Sequence, residues 1–268
     1  MLVSEDLWQY LTAEERAELA LHAAHLTNPY SRPAPSDTPD TGGPFFRFLR
    51  DCVHTIDSAS GGKERPWPTD DRWGLDPLGR RWDPLWLDWD DSLLCYSPLL
   101  VDKTRRVLAS NIVCAFDLWL ALGGQDPRWP SLMHSNRNRL ILIAARKLEG
   151  KTGSQEFLDR ICKEFKLAVR NGLPALWPEM PDLVNEATNR LVFSNGSEIH
   201  ALPHNADEVR GPGPTLLHAE ELATWPAAQD TIETAAASLY PDGHLVAVTT
   251  PAAVTYAADL RSGRLHRE

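Results

Sequence analysis

The 268-residue chain has no uninterrupted apolar run long enough to cross a bilayer, and residues 1–10 have no basic start followed by an apolar stretch. A membrane helix needs about 20 largely apolar residues, and a secretory leader needs that charged-then-apolar order. We therefore expect neither a membrane nor a secreted protein. Cysteine is scarce: Cys52, Cys95, Cys114 and Cys162 lie far apart, with no CxxC pair and no histidine-rich surroundings. That argues against a disulfide framework or a zinc site, and for free thiols in a reducing compartment. An excess of positive charge is also missing, with 27 Lys and Arg against 37 Asp and Glu and a formal net charge of −10. Such a chain is not a general polyanion binder, so any nucleic-acid contact has to come from a local basic face. Internal repeats and low-complexity tracts, the marks of solenoids and linkers, are absent as well.

What is present suits a globular core: 43% of residues are hydrophobic and 24% charged, enough for one large domain with an extension. Residues 4–26 read as a helix, with Ser4 as a cap and an apolar stripe through Leu7, Leu11, Leu19 and Leu21. Residues 28–44 hold Asn28, Pro29, Pro33, Pro35, Pro39, Gly42 and Gly43 and read as a linker or long loop. We divide the chain accordingly into an N-terminal helix and linker (1–44) and a main domain (45–268). A short helix is expected at 45–54. Residues 58–91 form a loop-rich stretch with Trp67, Trp73, Trp82, Trp86 and Trp89, whose aromatics most simply fill a small core of their own. From Leu93 onward strand and helix signals alternate. Residues 93–101 are an apolar run interrupted by Pro98, and 111–122 an apolar helix ended by Gly123-Gly124. A buried-strand pattern covers 139–145 and a helix 155–170. Segments 190–193 and 198–202 flank Asn195-Gly196 as a hairpin. Strands follow at 215–219 and 244–249. This alternation predicts a mainly parallel sheet covered by helices.

A phosphate cradle needs backbone N–H groups aimed at an anion, a lysine near the β/γ phosphates and a hydroxyl for Mg2+, on a turn between a strand and a helix N-terminus. Two segments compete. Ala145-Arg-Lys-Leu-Glu-Gly150-Lys151-Thr152 fits a loose phosphate-loop pattern with alanine at the first glycine position. Losing that glycine makes the tight turn harder, and a lysine-bearing strand-to-helix turn explains the segment equally well. Lys103-Thr-Arg-Arg106-Val-Leu-Ala-Ser110 also joins an apolar run to an apolar helix, but it has no glycine and carries its lysine first. By its residues alone it reads as a basic turn before a helix.

Its surroundings reverse that order. Residues 99–120 (LLVDKTRRVLASNIVCAFDLWL) resemble the deviant Walker A region of phage large terminases, where lysine often opens the loop and arginine and a closing serine or threonine follow. Upstream, residues 48–57 and Arg65-Pro66-Trp67-Pro68 resemble the family's segment ahead of the loop. Downstream, residues 140–177 resemble its second strand and helix. Phe193-Ser-Asn195-Gly196-Ser197, Arg210-Gly211, the acid pair Glu220-Glu221 and Thr249-Thr250-Pro251 then follow in family order, so the likeness runs over about 45–255. The resemblance implies an α/β P-loop NTPase fold of ASCE type, with a mainly parallel central sheet flanked by helices and a helical, loop-rich N-terminal extension. It implies a motor that hydrolyses ATP, with Mg2+, to drive double-stranded viral DNA into a procapsid. The expected partners are that DNA, further copies in a homo-oligomeric ring on the portal, and a small terminase subunit, all in the host cytoplasm and with no membrane involved. The family's RNase H-like nuclease domain would lie outside this chain, in which no two-metal carboxylate set can be assembled.

The same resemblance assigns roles. Lys103, Thr104, Arg105, Arg106, Val107, Leu108, Ala109 and Ser110 would form the ATP-binding loop. Lys103 would meet the β/γ phosphates as a compact point charge, Ser110 would ligate Mg2+, and Arg106 would steady the γ-phosphate. Trp67 would stack on adenine. Leu108 departs from the family, which commonly has glycine there. Leu216-Leu217-His218-Ala219-Glu220-Glu221 takes the Walker B position: Glu220 would hold the Mg2+ shell, and Glu221 would orient and polarise the attacking water. The family usually has Asp first, and a histidine in mid-strand is unusual. An isolated acid pair reads more plainly as a solvated helix N-terminus. Thr249 and Thr250 match the coupling motif, or are ordinary strand-end threonines. Arg210 matches an arginine able to reach a neighbouring subunit's nucleotide, or anchors a turn at 207–213. For DNA, basic residues gather at Arg137, Arg139, Arg146, Lys147 and Lys151, and along one side of a helix at Arg160, Lys163, Lys166 and Arg170. Contacts from such faces would be to phosphates; the plainer reading is a solvated surface. Two alternatives stay open: another P-loop NTPase using Gly150-Lys151-Thr152, and a hydrolysis-dead scaffold that binds a portal or small terminase.

Overall fold

The computed structural model describes residues 28–30, 43–52, 54–57, 63–66, 92–95, 97–102, 109–126, 128–129, 138–209, 213–226, 228–241 and 243–250. The helix expected at 4–26 and most of the tryptophan-rich stretch lie outside them. Among the described residues no helix is long and apolar enough to cross a membrane.

Helix α1 (Pro44–Cys52) leads into a hairpin of β1 (His54–Asp57) and β2 (Lys63–Pro66). The helix expected at 45–54 therefore stops at Cys52, and a strand follows. The run 93–101 splits into a helical turn at 92–95 and a strand, β3 (Leu99–Asp102), that begins only after Pro98, because proline has no N–H to give a ladder. Helix α2 (Ala109–Ala121) follows, then β4 (Leu140–Ala145), α3 (Ser154–Arg170) and α4 (Leu173–Leu176). Strands β5 (Leu183–Ala187), β6 (Arg190–Phe193) and β7 (Glu198–Pro203) form a meander, with β6 and β7 turning at Asn195-Gly196, where Gly196 takes a φ of +79° that favours glycine. The short helix α5 (Ala206–Val209), β8 (Leu216–Glu220), a 3-10 turn (Leu222–Thr224), α6 (Ala228–Ser238) and β9 (His244–Thr249) complete the described chain.

Seven strands form one sheet in the order β3-β9-β8-β4-β7-β6-β5. From β3 to β7 all neighbours are parallel, and β6 and β5 add an antiparallel edge. Parallel strands buried on both faces need apolar residues at every position, and the strand alternation shares them out. Ile141, Ile143 and Ala145 of β4 join the core with α1, α2 and α3, whereas Leu142 and Ala144 face α6 and Trp225.

Helix α2 lies in the larger core, and only Asn111 among its residues escapes full burial. Its last carbonyls need donors. Arg139 donates to the carbonyls of Leu120 and Gly124, Asn195 to that of Ala121, and Asn28 to that of Gly123. Arg139 is only 4% exposed, and burial lowers its pKa to about 10, so it remains a cation. This corrects the grouping of Arg139 with the DNA-facing basic residues: it fastens a helix end. The basic side of α3 is also partly engaged, since Arg160 donates to Asn111 and Lys166 pairs with Glu186. Within the stretch read as a linker, Tyr30 is buried, packs edge-on against Phe48 and Trp177, and accepts a hydrogen bond from the Trp119 indole.

Candidate active site

Because β3, β9, β8, β4 and β7 are parallel, their C-terminal ends share one edge, where ligands of open α/β sheets bind. Strand β3 reaches α2 through residues 103–108. Lys103, Thr104, Arg105, Arg106, Val107 and Leu108 lie outside the described residues, as do Trp67 and Arg210. Ala109 and Ser110 open α2, and both are buried.

The competing loop, between β4 and α3, is closed on itself. The Ser154 N–H donates to the Lys147 carbonyl and the Gln155 N–H to the Leu148 carbonyl. A Cβ on Gly153 would meet the Leu148 carbonyl oxygen at 2.5 Å. The turn into α3 is thus closed by its own carbonyls, and Lys151 and Thr152 are exposed.

On β8, alternation sends Leu216, His218 and Glu220 toward α2, and Leu217 and Ala219 toward α6. Glu220 ends the strand with no exposure, so the acid pair is not a solvated helix N-terminus. The next residue, Glu221, has a left-handed backbone with φ 53°, which costs a side-chain-bearing residue about 1 kcal/mol. That kink carries Glu221 out of the buried row to a half-buried position. There its Oε2 accepts a hydrogen bond from the Thr250 hydroxyl at 3.2 Å. The Thr249 hydroxyl accepts from the Ala223 N–H at 3.0 Å, and the Trp225 indole donates to the Glu220 carbonyl. The structure therefore brings together Glu220, which ends β8, Glu221 just after it, and both threonines at the end of β9.

Beneath this edge lies a buried polar chain. Ser110, Cys114 and Asp117 follow at i, i+4 and i+7, one face of a helix. His218 donates through Nδ1 to Asp117 Oδ2 at 2.7 Å and through Nε2 to Glu220 Oε1 at 3.1 Å, and all three side chains have 0% exposure. Burial alone would disfavour the imidazolium; the charge and hydrogen bond of Asp117, and then those of Glu220, outweigh it and hold the pKa at about 9. Burial also pushes the Asp117 carboxyl up. With a carboxylate on each side, the ring keeps the proton, so both of its nitrogens donate. Glu164 of α3 adds another buried acid, its pKa raised by burial to about 8, with Arg160 opposing and Asp117 assisting.

The donor atoms of Cys114, Asp117 and His218 lie within 4.8 Å of one another. As arranged here, two of them bond each other and do not surround an ion. Ligands around a tetrahedral ion at about 2.0–2.3 Å stand well over 3 Å apart, whereas His218 and Asp117 are in direct hydrogen-bond contact at 2.7 Å. Burial also pushes the Cys114 thiol well up, keeping it neutral. Asp117 is the residue missed in the sequence. Its signal was an acid in the middle of an otherwise apolar helix, to be matched with a histidine in the middle of an apolar strand, because buried polar groups find partners.

No family model matches the chain, and no curated protein does. Among solved structures it is similar to the large terminase of bacteriophage HK97, at 17% identity and a TM-score of 0.51, over 82% of this chain and 41% of that one. It is also similar to the large-terminase ATPase domain of Thermus phage P74-26 (13% identity, TM-score 0.43, 64% of this chain and 72% of that one). The large terminase of the thermophilic bacteriophage D6E in complex with ADP is a third (14% identity, TM-score 0.41, 62% of this chain and 38% of that one). The chain spans about two fifths of the HK97 protein's length. The HK97 match shows the fold, a mostly parallel sheet flanked by helices, shared with that large terminase.

Proposed function

We propose that the chain is the ATPase motor region of a phage large terminase, hydrolysing ATP to move double-stranded viral DNA into a procapsid. The strand order carries this reading. Strand β9 lies between β3, which leads into the phosphate loop, and β8, which ends in Glu220-Glu221. Two strand spacings are about 10 Å, wide enough for a γ-phosphate and a water between loop and acid.

The residues at that edge suit the roles. The Ser110 hydroxyl and the Glu220 carboxylate are the oxygen donors a hard cation takes, and they belong to elements that converge there. They would hold Mg2+, which when bound neutralises charge on the β and γ phosphates. Lys103 and Arg106 would bind those phosphates, with Thr104, Arg105, Val107, Leu108 and Ala109 shaping the loop and Trp67 stacking on the base. Glu221, its carboxylate pinned by Thr250, would orient the attacking water and take up its proton. Loss of the γ-phosphate would be felt by Thr249 and Thr250 at the end of β9, which join the two strand ends. Arg210 would act on a neighbour's nucleotide, which requires a homo-oligomeric ring on the portal, with the small terminase subunit as a further partner.

Calorimetric titration of Mg-ATP into wild type, Lys103→Ala and Lys151→Ala tests the reading. We expect Lys103→Ala to abolish measurable binding and Lys151→Ala to leave it unchanged. Loss with Lys151→Ala alone, or no binding by the wild type, would overturn it.

A further inference from the structure

We infer that His218 and Asp117 are positioning residues for Glu220. The buried chain Asp117–His218–Glu220 fixes the carboxylate assigned above to Mg2+ and ties it to α2, the helix that begins with Ser110's turn. The inference rests on the nucleotide site proposed above.

The geometry is specific. His218 and Glu220 are two apart on one strand, so both face α2, and the ring spans the space between the two carboxylates with one nitrogen on each. Asp117 shares its helix face with Ser110, so the two oxygen donors assigned to Mg2+ are joined through one rigid unit. The cost of this arrangement points the same way. Three ionisable side chains without solvent contact are expensive even when paired, and the neighbours of Asp117 and His218 in sequence are apolar. An apolar pair at these positions would pack without that cost. Finally, the chain accounts for Glu at this position in place of the shorter Asp. The extra methylene adds a rotatable bond whose freedom must be frozen, and it also brings Oε1 to within 3.1 Å of His218 Nε2. The longer acid and the mid-strand histidine are therefore one feature.

Asparagine places its amide near the position of histidine Nδ1, and glutamine near that of Nε2. His218→Asn thus keeps a partner for Asp117 and drops Glu220, whereas His218→Gln keeps Glu220 and drops Asp117. The full chain and both variants are titrated with ATP by calorimetry, once with Mg2+ and once in EDTA. His218→Asn should weaken binding about tenfold or more in Mg2+, the usual effect of losing an outer-shell partner, and leave binding in EDTA unchanged. His218→Gln should weaken binding in Mg2+ by less, about threefold, because Glu220 keeps its partner while the tie to α2 through Asp117 is lost, and should leave binding in EDTA unchanged. Equal losses in the two variants, or losses that ignore Mg2+, would mean that His218 only packs, and would overturn the inference. If circular dichroism shows His218→Asn unfolded, Glu220→Asp decides: it keeps the charge but withdraws it from His218, so Mg2+-dependent affinity should fall by a similar factor, and unchanged or tighter binding overturns the inference. A wild type that binds no nucleotide under either condition removes the proposed function itself, and this inference with it.

Discussion

Replacing Glu164 with glutamine should leave stability nearly unchanged at pH 5 and raise it strongly at pH 8. Glu164 is 5% exposed, and its Oε2 has no hydrogen-bond partner among the described residues. Arg160 favours its charged form, but burial and the charge of Asp117 prevail, and its pKa stands at about 8 instead of 4.5. A carboxyl whose pKa is raised on folding contributes stability that is complete below pH 4.5. That contribution is lost as the pH climbs toward 8, because the unfolded chain ionises first. At about 1.4 kcal/mol per pH unit, the loss is about 3 kcal/mol by pH 7 and about 5 kcal/mol at the plateau. Glutamine has the same shape and does not ionise, so the difference between the two proteins isolates this one group. Urea denaturation of both proteins from pH 5 to 8.5 should give midpoints that diverge steadily above pH 5. Curves that stay parallel across that range would show that Glu164 ionises without penalty, and would refute the burial argument.

Thr250→Val removes the donor that pins Glu221, and should lower kcat for ATP about tenfold, with KM little changed, as expected of an interaction that acts on the attacking water; steady-state phosphate release measures it. Arg139→Met strips the donor from two buried carbonyls at the end of α2, and should destabilise the protein by about 2–4 kcal/mol in urea titrations. Because Arg139 is buried, the same variant should leave the salt dependence of any DNA binding as it is in wild type.

The central sheet was legible because its strands are buried on both faces and read as apolar runs: residues 139–145 and 244–249 could hardly be anything else. Strand β5 was not legible. It pairs only at the sheet edge and is largely exposed, so LVNEA carries no alternation. Helix α6 escaped for a related reason: it buries Ala228, Thr231, Ile232 and Ala235, and small or polar residues make a faint stripe. In the site, the order of motifs was readable, and Glu220, Glu221, Thr249 and Thr250 do meet at one edge. What the sequence could not reveal was direction. That Glu220 turns inward to His218 while Glu221 turns outward to Thr250 depends on one left-handed residue, for which an Ala-Glu-Glu-Leu string gives no cue.

How α2 and Glu221 are held bears on where the proposed nucleotide turnover would move the structure. The C-terminal end is fastened by Arg139, Asn195 and Asn28, which come from three separate parts of the chain, and Trp119 adds its bond to Tyr30. The helix interior is packed on all sides, and such cores shift between discrete arrangements instead of bending. The strained residue lies on the other side, at Glu221, where one hydroxyl of Thr250 holds the side chain and Ala223, in the next turn, bonds Thr249. Release of that strain would move the 3-10 turn and Trp225, and with them α6, whose contacts with the sheet are made mainly by small side chains. On the proposed nucleotide site, we expect a spin label on α6 to report nucleotide state and one on α2 not to.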